Sequence, residues 1–99
     1  MTPEAKVKKK VVETLKRLGA YYFQPVTGGF GRSGVPDLVA CYKGRFIGIE
    51  CKSGNKKPTA LQLKNLNDII GQGGIALVIN EDNTNTLEND LKLLIGEAA

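Results

Sequence analysis

Pro36-Asp37-Leu38-Val39-Ala40-Cys41-Tyr42-Lys43-Gly44-Arg45-Phe46-Ile47-Gly48-Ile49-Glu50-Cys51-Lys52 is the stretch that decides the fold. Two largely apolar runs, residues 37–42 and 45–52, flank Lys43-Gly44, and this pattern predicts a β-hairpin. Two-residue hairpin turns favour glycine at their second position, which Gly44 supplies, while Lys43 is a weaker first residue than asparagine. Such a turn pairs Tyr42 with Arg45 and therefore sets Asp37 opposite Glu50. Directly opposed residues have Cβ atoms ~5 Å apart on one face. Two carboxylates that close repel unless a cation or a shared proton lies between them. A divalent metal is the economical explanation. A three-residue turn would send Asp37 to the other face, so the inference depends on the turn.

Period-2 alternation puts Glu50 and Lys52 together on one face of a strand otherwise built from Phe46, Ile47, Gly48, Ile49 and Cys51. That pair is either a plain surface ion pair or part of a site. Pro36-Asp37, taken alone, is an ordinary turn dipeptide. The same register argues against a disulfide, because Cys51 falls near Pro36, ~16 Å along the strand from Cys41. Both cysteines are expected as reduced residues of the core.

Upstream, Thr2 is a good N-cap, Pro3 suits the first helical position, and Glu4 favours the positive helix end. Val7, Val11, Leu15 and Leu18 recur at helical spacing until Gly19 stops the run. Glu4 projects from the middle of that apolar stripe. It either serves only the helix dipole or is aimed at something buried and positive. Glu13 belongs on the solvated face. Residues 20–26 read as a strand that Pro25 weakens. The glycine-rich loop Thr27-Gly28-Gly29-Phe30-Gly31-Arg32-Ser33-Gly34 is not a Walker A loop, because no Gly-Lys-Ser/Thr follows it and a strand comes next. It is either a plain connector or a loop that lets a polyanion approach, with Arg32 available for phosphate.

Downstream, residues 53–58 form a polar, basic loop. Thr59 and Gln62 make a capping box that opens a helix to about Ile70, ended by Gly71, Gly73 and Gly74. Gln62 is explained by that cap alone, or it reaches the site from above the sheet. Residues 75–79 read as a buried strand, 80–86 as a loop and 87–95 as a short last helix. The order is αβββαβα, a mixed α/β domain, and 99 residues suffice for one core, so residues 1–99 are read as a single domain.

Composition narrows the function. The chain has no histidine, which excludes histidine-based catalysis. Two cysteines are too few for a Cys/His zinc site, so any metal must be held by oxygen, as Mg²⁺ or Mn²⁺ are. The longest apolar runs fall far short of the ~20 residues of a membrane span, and no signal peptide is evident, so a cytoplasmic setting without a membrane partner is expected. Net charge is +4, unevenly spread. Residues 1–58 hold twelve Lys/Arg against four Asp/Glu, and residues 59–99 two against six. The basic half either solvates a helix or attracts a polyanion, nucleic acid ahead of a membrane surface.

Gly34-Val35-Pro36-Asp37-Leu38, Ile49-Glu50-Cys51-Lys52 and Gln62 together resemble the PD-(D/E)xK nuclease superfamily, and more narrowly a stand-alone VRR-NUC domain. The resemblance runs from Glu4 to about Ile79. It implies an αβββαβ restriction-endonuclease-like core with a mixed sheet and a short C-terminal helix. It implies Asp37, Glu50 and the backbone carbonyl of Cys51 as ligands of Mg²⁺ or Mn²⁺. Lys52 would orient or activate the attacking water, while Glu4 and Gln62 match further site residues of the family. Stand-alone members resemble Holliday junction resolvases, so a homodimer cleaving branched or four-way DNA is implied, with a leaning towards a phage-type origin. Lys8, Lys9, Arg32, Lys56 and Lys57 are the expected DNA contacts, and binding by such a basic surface weakens steeply with salt. Without the resemblance, a non-catalytic basic DNA-binding module with a structural carboxylate–lysine cluster is the alternative.

Overall fold

The hairpin forms with the turn that its register needs. In the computed structural model, which describes residues 1–26 and 31–97, β2 (Leu38–Tyr42) and β3 (Arg45–Cys51) run antiparallel, with Tyr42 opposite Arg45 and Leu38 opposite Ile49. Lys43 and Gly44 both adopt left-handed backbone, φ 53° and 79°, as a tight two-residue turn matched to strand twist requires. Lys43 accepts this conformation although it carries a Cβ.

The other elements assemble around this pair. α1 (Pro3–Leu18) starts where the Thr2 side chain accepts from the Ala5 N–H and ends at Gly19, left-handed at φ 74°. β1 (Tyr21–Phe23) pairs antiparallel with β2. α2 (Ala60–Gly71) opens with the full Thr59–Gln62 capping box. β4 (Ile75–Ile79) returns parallel to β3, giving the mixed order β1-β2-β3-β4. A short 3₁₀ turn at Thr84–Thr86 leads into α3 (Leu87–Ile95).

One core holds the sheet and two helices together. Val7, Val11 and Leu15 of α1 and Leu87 and Leu91 of α3 bury against Leu38, Ala40, Tyr42, Ile47, Ile49, Cys51, Ile75 and Ile79. Gly48, on the alternate side of β3, meets α2 instead. A Cβ there would lie 2.6 Å from Ile69 Cδ1 and 3.0 Å from Pro36 Cγ, so its absence lets both pack onto the strand. Gly34 does the same for the preceding loop, where Asn65 of α2 donates to the Ser33 carbonyl.

Several expectations need correction. β1 stops at Phe23, where pairing with β2 ends at Val39, rather than running to Val26. Asp37 sits in a bend just before β2 rather than opening it. Cys41 is a free but exposed thiol, because it lies on the face of β2 that α2, packed on β3 and β4, leaves uncovered. Cys51 is the buried free thiol. β4 buries only Ile75 and Ile79 fully, since it is an edge strand with a neighbour on one side. Residues 27–30 of the glycine-rich loop lie outside the described residues. No described helix is long and apolar enough to cross a membrane.

Candidate active site

Asp37 and Glu50 meet where the hairpin opens. Pro36 is pinned over Gly48, and the chain then turns at Asp37 towards the end of β3. Asp37 Oδ2 accepts from the Cys51 N–H at 2.8 Å. That bond fixes the carboxylate beside the strand and leaves Oδ1 facing outward, 3.9 Å from Lys8 Nζ.

Glu50 is almost fully enclosed, 2% exposed. Its Oε2 lies 3.3 Å from Lys52 Nζ, while Oε1 is buried with no hydrogen-bond partner. Burial, and then the charge of Asp37, push its carboxyl above the usual carboxylate range, and Lys52 and the Asp37 backbone N–H offset only part of this. The Cys51 thiol is pushed up to about 12, first by burial and then by Asp37, so it stays protonated and unreactive. Its contribution is backbone and packing.

α1 closes the site from the core side. Glu4 and Lys8 are one helical turn apart and so share a face. α1 packs against β3, and Lys8 reaches Asp37 beside the end of that strand. The Lys52 N–H donates to the Ile79 carbonyl, and the Gly54 N–H donates to Glu81 Oε1, so the segment after β3 is tied to β4 and the loop beyond it. Nothing in the sequence signalled these two anchors, since both partners come from a distant part of the chain.

The structure thus gathers Asp37, Glu50, Cys51 and Lys52 at one end of the hairpin, while Glu4 lies on α1 one turn before Lys8. Lys8, expected only as a DNA contact, joins them against Asp37; its spacing of four from Glu4 was the available signal. Gln62 is engaged elsewhere, its Oε1 accepting from the Thr59 N–H at 2.9 Å. Arg32 is paired with Asp68 of α2 at 2.9 Å, and Lys64 reaches the same carboxylate. Lys9, Lys56 and Lys57 are exposed.

Among the described residues, no three Asp, Glu, Cys or His side chains converge closely enough to hold a metal between them. Any ion would rest on Asp37 and Glu50 with backbone oxygen. The all-oxygen donor set and the orphaned, buried Glu50 Oε1 fit a hard divalent cation.

No family model matches the chain. Over 85 residues it is 31% identical to "Putative nuclease p44" of Acyrthosiphon pisum secondary endosymbiont phage 1, a match covering 85% of this chain and 89% of that protein. A solved structure called "VRR_NUC domain" superposes with a TM-score of 0.70 at 24% identity, covering all of both chains. A second, called "VRR_NUC domain protein", gives a TM-score of 0.74 at 23% identity, covering 97% of this chain and 92% of that one. At those identities the two structures speak to the fold.

Proposed function

The chain belongs to the family of the phage "Putative nuclease p44" and has the VRR-NUC fold, and on that footing we propose that it is a divalent-metal-dependent endonuclease hydrolysing phosphodiester bonds in branched DNA. The observation that carries this is the Asp37–Glu50 carboxylate pair, with one Glu50 oxygen buried and unpartnered and Lys52 beside it.

Asp37, Glu50 and the Cys51 carbonyl would hold Mg²⁺ or Mn²⁺. When bound, such an ion polarises the scissile phosphate and lowers the pKa of a coordinated water. The protein's own residues do the rest. The Cys51 N–H keeps Asp37 in place before DNA arrives. Glu50 holds the ammonium of Lys52, which is 13% exposed, at the mouth of the site. From there Nζ would donate a hydrogen bond that orients the attacking water. As the water's oxygen bonds to phosphorus, the P–O bond to the leaving oxygen breaks. The water's proton passes to solvent and the leaving oxygen takes one from it, while Nζ stabilises charge growing on the phosphate oxygens. Glu4, one turn before Lys8 on α1, would add a third carboxylate near the site, while Gln62 is held in the cap of α2.

The surplus of basic residues before residue 59 supplies attraction to the DNA backbone. Recognition is of shape rather than base sequence, and two copies about a twofold axis would make the paired cuts that a four-way junction offers. The same contacts also favour a second reading, in which Lys8–Asp37 and Lys52–Glu50 are structural ion pairs of a DNA-binding module without catalysis.

One experiment separates the two. Labelled four-way junction, flap and linear duplex are incubated with the protein in Mg²⁺, Mn²⁺ or EDTA, beside Asp37→Asn and Lys52→Ala. The nuclease reading expects metal-dependent cleavage, with paired cuts on the junction, reduced at least about 10²-fold in both variants. Cleavage of flap or duplex alone removes the junction preference. Intact DNA binding without cleavage in any metal leaves the binding module. A native mass of one chain at micromolar concentration removes the dimer.

A further inference from the structure

Lys8 stands in front of the one Asp37 oxygen that is free to take a cation. Oδ2 is committed to the Cys51 N–H, and Oδ1 faces Lys8 Nζ at 3.9 Å. That separation is too long for a hydrogen bond, so the pair is held by charge alone and separates without breaking a directed bond. The two side chains are 32% and 25% exposed, so water screens the attraction only in part. Lys52 differs. It lies closer to its own carboxylate, Glu50, at 3.3 Å, and is 13% exposed.

The position of Lys8 is also constrained. Val7 and Val11, fully buried on either side of it, pin that turn of α1 to the core. The backbone of Lys8 cannot withdraw, so only its flexible side chain can move. Beyond the site that side chain borders a groove it shares with Lys9, Glu13, Lys16 and Gln24.

We infer that Lys8 is the internal counter-cation of the metal site: it neutralises Asp37 while no metal is bound and must swing aside when a divalent cation arrives, so that it sets the site's affinity for metal. This rests on the nuclease reading above. The reason is electrostatic. Asp37 faces Lys8 and Glu50 faces Lys52, and two cations cannot occupy Oδ1 together without repulsion. The displaced ammonium swings into the groove beside Lys9, where Glu13 and an incoming DNA phosphate are the available anions. Lys8 is therefore a positioning residue that weakens metal binding in the free protein and returns the charge to the DNA.

The test titrates Mn²⁺ alone into the protein and follows the free-ion signal by electron paramagnetic resonance. Wild type is compared with Lys8→Met, Lys8→Arg, Lys9→Met and Asp37→Asn, each checked for folding by thermal melting in EDTA. Lys8→Met should bind Mn²⁺ on the order of three- to fivefold tighter at low salt, with the gain shrinking as salt rises. Lys8→Arg should stay near wild type. Lys9→Met, which removes the same charge one residue away, should change far less. Equal affinities in wild type and Lys8→Met overturn the inference while leaving the metal site standing. Equal tightening in Lys8→Met and Lys9→Met also overturns it, because net charge alone would then explain the effect. If wild type binds no Mn²⁺, or Asp37→Asn binds as well as wild type, the nuclease reading fails and this inference with it.

Discussion

Glu50 is a charged side chain for which the fold provides little. It is buried, one oxygen lacks a partner, and a second carboxylate sits beside it. Its folded-state carboxyl titrates above the unfolded value of about 4.5. The stability linked to this group is therefore fully present below the unfolded value and is lost as pH rises through the raised one. Without metal, the native state carries this cost at neutral pH. Glu50→Gln should be about 0.5–2 kcal/mol more stable than wild type in EDTA at pH 7, and should be inactive. The gain should vanish as pH falls towards 4.5. Urea denaturation across that range checks it, and a variant less stable than wild type at pH 7 would mean that the charge is satisfied in the native protein. The opposition of Asp37 and Glu50 was legible because it follows from one turn type. The bond from the Cys51 N–H to Asp37 was not, because it depends on how the chain bends before β2, and Lys8 was not, because it depends on where α1 docks.

At the scale of elements, the contact between α2 and the loop before β2 places Pro36 and hence Asp37. Gly34 is its tightest point. Its φ is +76°, and an added Cβ would lie 2.6 Å from Leu61 Cγ and 3.0 Å from Asn65 Nδ2. Gly34→Ala should lose about 1–3 kcal/mol of stability and reduce activity by displacing Asp37. Gly54→Ala is the control, since Gly54 has φ +57° but nothing within 4 Å of its would-be Cβ. Equal losses in denaturant titrations of the two would assign the cost to backbone strain and show that α2 gives way. Local rules made the hairpin, the Thr2 cap and the Thr59–Gln62 box legible, because each depends on residues within a few positions. The early end of β1, the half-burial of β4 and the exposure of Cys41 were hidden, because they depend on which strands end the sheet and how far α2 extends over it. A continuous apolar run such as residues 75–79 signals a strand without saying whether it has one neighbour or two.

Across the whole molecule, cations cluster in the half of the chain that builds α1 and the hairpin, while the C-terminal half is acidic. The site draws on both scales of connection. Asp37 and Glu50 are joined by a two-residue turn, whereas Lys8 arrives with α1 and Ile79, which anchors Lys52, arrives only after α2 has crossed over. This separation has a consequence for the order in which the protein assembles. Hairpins close in ~1–10 μs, while a parallel strand must wait for its crossover to fold. Early in refolding, the closed hairpin brings the two carboxylates near each other before α2 fixes Asp37 and before Lys8 arrives with α1. Repulsion at that stage raises the barrier, so Mn²⁺ added at the start of refolding should speed it, and Asp37→Asn should refold faster than wild type in EDTA and ignore Mn²⁺. Stopped-flow refolding reads both. Should Mn²⁺ slow only the unfolding limb, the carboxylates come together after the rate-limiting step, and the divalent ion meets a chain that has already folded.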